Sequence, residues 1–152
     1  MFIRNADQND LTAITSLLEQ LFSIEADFDF DAEKHQAALT HIIQETDCAC
    51  IVAANNQNQV IGVCTAQWVY STATGNKSAW IEDMVIDQAY RGQGIGQKLL
   101  NHIIEWCQQA GCGRAQLVYD LENTAAIEFY RKQDFKKTQL GVFSIPLHIS
   151  NS

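Results

Sequence analysis

The stretch Arg91-Gly92-Gln93-Gly94-Ile95-Gly96 constrains the fold more than any other part of this chain. It follows the apolar run Trp80-Ile81-Glu82-Asp83-Met84-Val85-Ile86 and opens an amphipathic segment, Gln97–Ala110. A strand that enters a glycine-rich turn, with a helix beginning at the last glycine, makes a cradle for an anion. Glycine lets the backbone approach closely, and the first helical N–H groups have no acceptor within the helix and point outward. The helix dipole favours negative charge at the same place, and Arg91 and Lys98 add full positive charges. A phosphate-bearing ligand suits this turn.

Two familiar phosphate loops do not match. A dinucleotide fingerprint requires G-x-G-x-x-G, whereas here glycines stand at 92, 94 and 96 and Gln97 follows, with no earlier βαβ unit to hold a nicotinamide cofactor. No G-x-x-x-x-G-K-[ST] string occurs. A structural turn alone needs one glycine rather than three at alternate positions.

Arg91-x-x-Gly94-x-Gly96 resembles the [RQ]-x-x-G-x-[GA] signature of the GNAT superfamily of N-acetyltransferases. A second segment, Asn123-Thr124-Ala125-Ala126-Ile127-Glu128-Phe129-Tyr130, is similar to that superfamily's later N-x-x-A-x-x-F-Y motif. Ile3-Arg4-Asn5-Ala6 looks like its first strand. The resemblance spans nearly the whole chain and implies an α/β (α+β) fold. In that fold a mixed, mostly antiparallel central sheet carries helices on both faces, and its later strands splay apart at the cofactor cleft.

Periodicity supplies the elements independently of the family. Residues 2–6 read as a strand, and Asn9 or Asp10 as the cap of a helix over about 10–22, where Leu11, Ile14, Leu17, Leu18 and Leu21 recur at helical spacing. A second helix is expected from Ala32 to Gln44. Strands follow over Cys48–Ala54, Val60–Tyr70 and Ser78–Asp87. The helix over 97–110 ends at Gly111, Arg114–Tyr119 is a strand, Asn123 caps a helix over 124–133, and Lys136–Ile145 closes the sheet. One domain over 1–152 is expected from the length, and 47% apolar with 18% charged residues is the composition of a globular chain.

The same composition narrows function. No run reaches eighteen apolar residues and no secretory leader pattern opens the chain, so no membrane role is expected and the cytoplasm is the expected compartment. Five cysteines at 48, 50, 64, 107 and 112 form neither a paired framework nor a metal pattern; no metal is expected. The net charge is −8: residues 1–80 carry three basic groups against ten acidic, and residues 81–152 seven against eight. Nucleic acid is therefore a poor partner. Tandem Glu25, Asp27, Asp29 and Asp31, interleaved with Phe28 and Phe30, suit a cationic amine, or form a solvated acidic loop anchored by its rings.

The resemblance implies acetyl-CoA as acyl donor and a primary amine as acceptor, joined by direct attack in a ternary complex. It places the pyrophosphate on Arg91, Gly92, Gln93, Gly94, Ile95, Gly96 and Gln97, the pantetheine arm along Met84, Val85 and Ile86, and a polar cofactor contact at Asn123. Tyr130 matches the family's general acid. Glu82 stands where several amine-acetylating relatives carry a glutamate and is the expected base, with Asp83 or a water as alternatives. Strand alternation would put Glu82 and Asp83 on opposite faces. A backbone N–H near Met84 or Val85 would polarise the thioester carbonyl. Two departures stand out: no proline precedes Arg91, and Asp134 precedes Phe135 where the family has glycine. Rival readings are a non-catalytic acyl-CoA sensor, a protein lysine or N-terminal acetyltransferase, and a dinucleotide oxidoreductase. A homodimer is compatible with the family.

Overall fold

A computed structural model describes residues 1–23 and 29–149. Two compact units emerge, one over Met1–Asp120 and one from Leu121 onward.

The first unit is built on a five-stranded sheet in the order β1-β2-β3-β4-β5: β1 (Phe2–Asn5), β2 (Cys48–Ala54), β3 (Val60–Ser71), β4 (Asn76–Ile86) and β5 (Ala115–Leu117). The first three pairings are antiparallel and β4–β5 is parallel. Three helices belong to it: α1 (Leu11–Phe22), α2 (Ala32–Gln44) and α3 (Ile95–Gln109). Register sorts the faces, because directly paired residues point the same way. Cys50, Val52, Val63 and Val85 form a core with Ile14, Leu17 and Leu18 of α1 and Leu39 of α2. On the other face lies α3. A Cβ added to Gly62 would stand 2.9 Å from Ile86 Cδ1 and 3.1 Å from Leu99 Cδ1. The mixed sheet with helices on both faces is as expected.

The start of α1 is set differently from the expectation. Asp10 occupies its N-cap position but makes no capping bond. Its carboxylate instead takes Arg4 Nη1 at 2.7 Å and Nη2 at 2.9 Å, and accepts the Asp7 N–H at 2.9 Å. Asp7 does the capping one turn earlier, over a 3-10 turn at Gln8–Asp10. The bidentate pair holds β1 to the start of α1, and the Arg4 guanidinium keeps the Asp10 carboxyl below its usual range.

The second unit contains α4 (Thr124–Lys132), whose N-cap is Asn123, accepting the Ala126 N–H at 3.1 Å. Its end is a Schellman turn. Phe135 N–H reaches Tyr130 O at 3.0 Å, Asp134 N–H reaches Arg131 O at 3.1 Å, and Asp134 takes φ +67°. Aspartate thus fills the left-handed position where the family has glycine. The expected strand over Lys136–Ile145 is absent: residues 136–149 join no ladder, and Leu140, Val142, Phe143 and Ile145 are exposed. β5 is the last strand of the described sheet. Pro146, which has no N–H to give to a ladder, lies just beyond.

Candidate active site

The β4 strand carries the site, and its irregularity decides the geometry. From Ser71↔Asn76 to Thr65↔Glu82 the β3–β4 register is regular; it resumes at Val63↔Val85. Cys64 alone therefore faces two residues, Asp83 and Met84, and β4 bulges there. Asp83 takes φ +52°. The bulge reverses the alternation. Glu82 is paired with Thr65, on the face of α1 and α2, and Asp83 is on that same face because its Oδ2 lies 3.1 Å from Thr65 Oγ1. The expectation that Glu82 and Asp83 would point to opposite faces is thus overturned by one inserted residue.

Two adjacent carboxylates on one face repel; Asp83 is half-buried and Glu82 is the more exposed of the two. Burial, then the negative charge of Asp83, raises the Glu82 carboxyl above its ordinary value. Burial raises Asp83 as well, opposed chiefly by the Thr65 hydrogen bond, with His35 of α2 nearby. His35 is fixed in place: its Nε2 accepts the Asp31 N–H at 2.9 Å, and its ring stacks on Phe22 at 4.7 Å and lies 5.3 Å from Phe30. Asp31 spends its own carboxylate on capping α2, accepting the Lys34 N–H at 3.3 Å. Of the acidic-aromatic stretch, Asp29 and Phe30 are exposed, while Glu25, Asp27 and Phe28 lie outside the described residues.

Beyond Glu82 the strand runs alongside an open edge. The β4–β5 ladder covers only Ala79↔Ala115, Trp80↔Gln116 and Ile81↔Leu117, so Met84, Val85 and Ile86 continue past the end of β5. Val85 turns its side chain into the core, 5% exposed, so its contribution to a ligand is restricted to its backbone.

The chain then turns through Asp87, which caps a short 3-10 turn by accepting the Ala89 N–H at 2.9 Å. Arg91 Nε donates to Ile86 O at 3.1 Å, and this contact ties the arginine to the strand end. Gly92 and Gly94 both take φ +78°, and a Cβ at either would meet nothing within 4 Å. The glycines are thus required by backbone conformation, and the space above them is open to a ligand. Gly94 is the N-cap of α3 with no side-chain cap, and the first helical bond is Lys98 N–H to Gly94 O at 3.3 Å. The N–H groups of Ile95, Gly96 and Gln97 precede that bond and have no helical acceptor. Ile95 buries its side chain, 3% exposed, and offers only backbone. These residues fit a pyrophosphate.

On the second unit, Tyr130 is half-buried on α4, its ring edge-on to Phe129 at 5.1 Å and to Phe135 at 5.7 Å. Asn123 uses its side-chain oxygen as the helix cap. Among the described residues no cluster of histidine, cysteine or acidic side chains is arranged to hold a metal, and no helix is long and apolar enough to cross a membrane. Sequence reasoning missed Thr65 and His35. A lone threonine in an apolar strand and a lone histidine on a helix carry no motif.

A family model described as the Acetyltransferase (GNAT) family matches residues 13–135. The chain belongs to the GNAT acetyltransferase family. By family it is an N-acetyltransferase, and members of this family take their acetyl group from acetyl-CoA. The thialysine N-epsilon-acetyltransferase of Mus musculus is 27% identical over 143 residues, covering 85% of this GNAT chain and 80% of that protein. An uncharacterized N-acetyltransferase of Methanocaldococcus jannaschii is 32% identical over 77 residues, covering 51% of this chain and 34% of that protein. A putative acetyltransferase from Agrobacterium tumefaciens str. C58 has the same fold, with a TM-score of 0.81 at 24% identity, covering 97% of this chain and all of that one.

Proposed function

We propose that this chain transfers the acetyl group of acetyl-CoA to a primary amine on a small cationic acceptor, by direct attack in a ternary complex. The observation that carries the reading is the β4 bulge, which sets Glu82 and Asp83 on one face of a strand that leads directly into an anion-binding helix start. The chemistry needs both ends of that strand. A primary amine of pKa about 10.4 is protonated at neutral pH and must lose a proton before its nitrogen can attack. Glu82 accepts that proton, directly or through a water, and its raised carboxyl is better matched to the task than an ordinary glutamate. Acetyl-CoA supplies the thioester carbon. The amine nitrogen bonds to that carbon, the carbon–sulfur bond breaks, and Tyr130 gives its phenolic proton to the departing thiolate; the second proton, which the nitrogen sheds as it becomes an amide, returns the phenolate to the phenol. A backbone N–H near Met84 or Val85 donates to the thioester oxygen. Gly92 to Gln97 hold the pyrophosphate, with Arg91 beside it; Asn123 touches the cofactor arm.

A cationic acceptor is supported by the paired carboxylates and by the thialysine acetylation for which the mouse relative is named. A lysine-like terminal amine is the acceptor that best fits both. No cysteine serves as a nucleophile: burial pushes Cys50 up to about 12 and Cys107 to about 11, and holds Cys64 well above its ordinary value.

The test is a pair of conservative substitutions. Glu82→Gln and Tyr130→Phe are each expected to lower kcat by about a hundredfold or more, with acetyl-CoA still raising the melting temperature as in the wild type. Unchanged kcat in both would overturn the assignment, and acetyl-CoA binding without turnover in the wild type would make the protein an acyl-CoA sensor.

A further inference from the structure

The β4 bulge has to be held. Asp83 sits at φ +52°, in the left-handed region that strains a residue with a Cβ, and a regular ladder would remove both the strain and the bulge. Thr65 stands opposite, 1% exposed, on the strand that β4 pairs with. Its Oγ1 lies 3.1 Å from the Glu82 carbonyl oxygen and 3.1 Å from Asp83 Oδ2. One buried atom therefore joins the backbone of the residue before the bulge to the side chain of the residue within it. We propose that Thr65 is a positioning residue: its hydroxyl locks the β4 bulge by bonding to the Glu82 carbonyl and the Asp83 carboxyl, and so aims the Glu82 carboxylate at the acceptor amine.

A hydroxyl has one hydrogen and two acceptor sites. Thr65 meets both neighbours by donating to the Glu82 carbonyl while accepting from a protonated Asp83, or by sharing its hydrogen between the two when Asp83 is ionised. Either arrangement fixes the peptide between Glu82 and Asp83, and with it the direction of the Glu82 side chain. Valine has the same shape and branching as threonine and suits the strand, yet can make neither bond. With Thr65→Val the bulge relaxes towards regular pairing and the carboxylate swings away from its working position. Displacement of a reacting group by about 1 Å costs up to a hundredfold in rate. Thr65 itself touches no substrate, so its effect passes entirely through Glu82. The role rests on the reading of Glu82 as the base.

The experiment measures kcat at saturating amine, the acetyl-CoA dissociation constant and retention of fold by circular dichroism. It uses Thr65→Val, Thr65→Ser and Glu82→Gln, and the Thr65→Val/Glu82→Gln double variant. Thr65→Val is expected to lower kcat about tenfold to a hundredfold, with acetyl-CoA affinity unchanged. Thr65→Ser, which keeps the hydroxyl, is expected to restore kcat to within about threefold of wild type, a spread ordinary context effects can cover. In the Glu82→Gln background Thr65→Val should add no further loss, because coupled residues do not act additively. Wild-type kcat in Thr65→Val, or a loss that persists in full beside Glu82→Gln, overturns the proposal. If Glu82→Gln itself keeps full kcat, the base assignment fails and the Thr65 role falls with it. That result is distinct from a slow Glu82→Gln beside a fast Thr65→Val. Should Thr65→Val not fold, Thr65→Ala carries the same expectations.

Discussion

Asp83 makes ionisation of its neighbour Glu82 harder, and burial raises both carboxyls. The consequence is visible in stability as well as in rate. A carboxyl raised in the folded state holds its proton where the unfolded chain has already released it, so stability falls as pH rises from the unfolded value through the folded one. Replacing Asp83 by asparagine removes that loss while keeping a polar group beside Thr65 and a residue that tolerates positive φ. The melting temperature of Asp83→Asn relative to wild type should therefore be higher at pH 7 than at pH 4. An advantage that shrinks as pH rises would show that Asp83 is stabilised as an anion. Asp10 behaves in the opposite sense: Arg4 lowers it, and its contribution is lost on acidification. At this scale the sequence was informative about residue type and misleading about direction. Glu82 and Asp83 were both legible as candidate carboxylates; the bulge that brings them to one face was not, because alternation assumes an unbroken ladder. The hint was chemical: aspartate is one of the few residues that accepts the left-handed region.

The elements follow their local signals closely where the signals are strong. Gly92 and Gly94 of the glycine turn, the period of Leu99, Leu100 and Ile103 on α3, and the Asn123 cap of α4 are all placed as their residue types require. The failures have physical causes. Asp10 reads as a helix cap, but the bidentate Arg4 pair claims its carboxylate. The stretch Lys136–Ile145 reads as the strand that closes the sheet, yet a local signal records only a chain's readiness to pair and residues 136–149 join no ladder. The end of α4 offers a direct test of local strain. Asp134 holds the left-handed position of the Schellman turn at φ +67°, so Asp134→Gly should stabilise the protein by about 1 kcal/mol, read as a rise in the denaturation midpoint. A fall would mean that the aspartate carboxylate contributes more than the strain it imposes.

At the scale of the molecule, the mixed sheet with helices on both faces was legible through the resemblance carried by two motifs, the glycine turn and the Asn123–Tyr130 segment. The acceptor was not. Five residues of the acidic-aromatic stretch, 24–28, lie outside the described structure, and charge alone does not distinguish one amine from another. The distribution of thiols is a whole-molecule property that bears on mechanism. Cys50, Cys64 and Cys107 are buried and Cys48 and Cys112 half-buried, and burial raises all five above their ordinary value, Cys48 to about 11. Alkylation of the native protein at pH 8 should be slow at every cysteine, led by Cys48 and Cys112, and should become complete only in denaturant. Rapid labelling of one thiol in the native state, together with an isolable acetylated protein, would replace direct attack with an acyl-enzyme.

The central claim is that an amine, and not a protein group or water, receives the acetyl group. Free-thiol release from acetyl-CoA tests it most directly, followed with thialysine, lysine, polyamines, aminoglycosides and a lysine peptide in turn. Release that depends on the amine, saturates with it, and is fastest for a small acceptor bearing a terminal amine is the predicted result. Release that is the same with and without every amine, or none at all from protein that acetyl-CoA demonstrably stabilises, would contradict it.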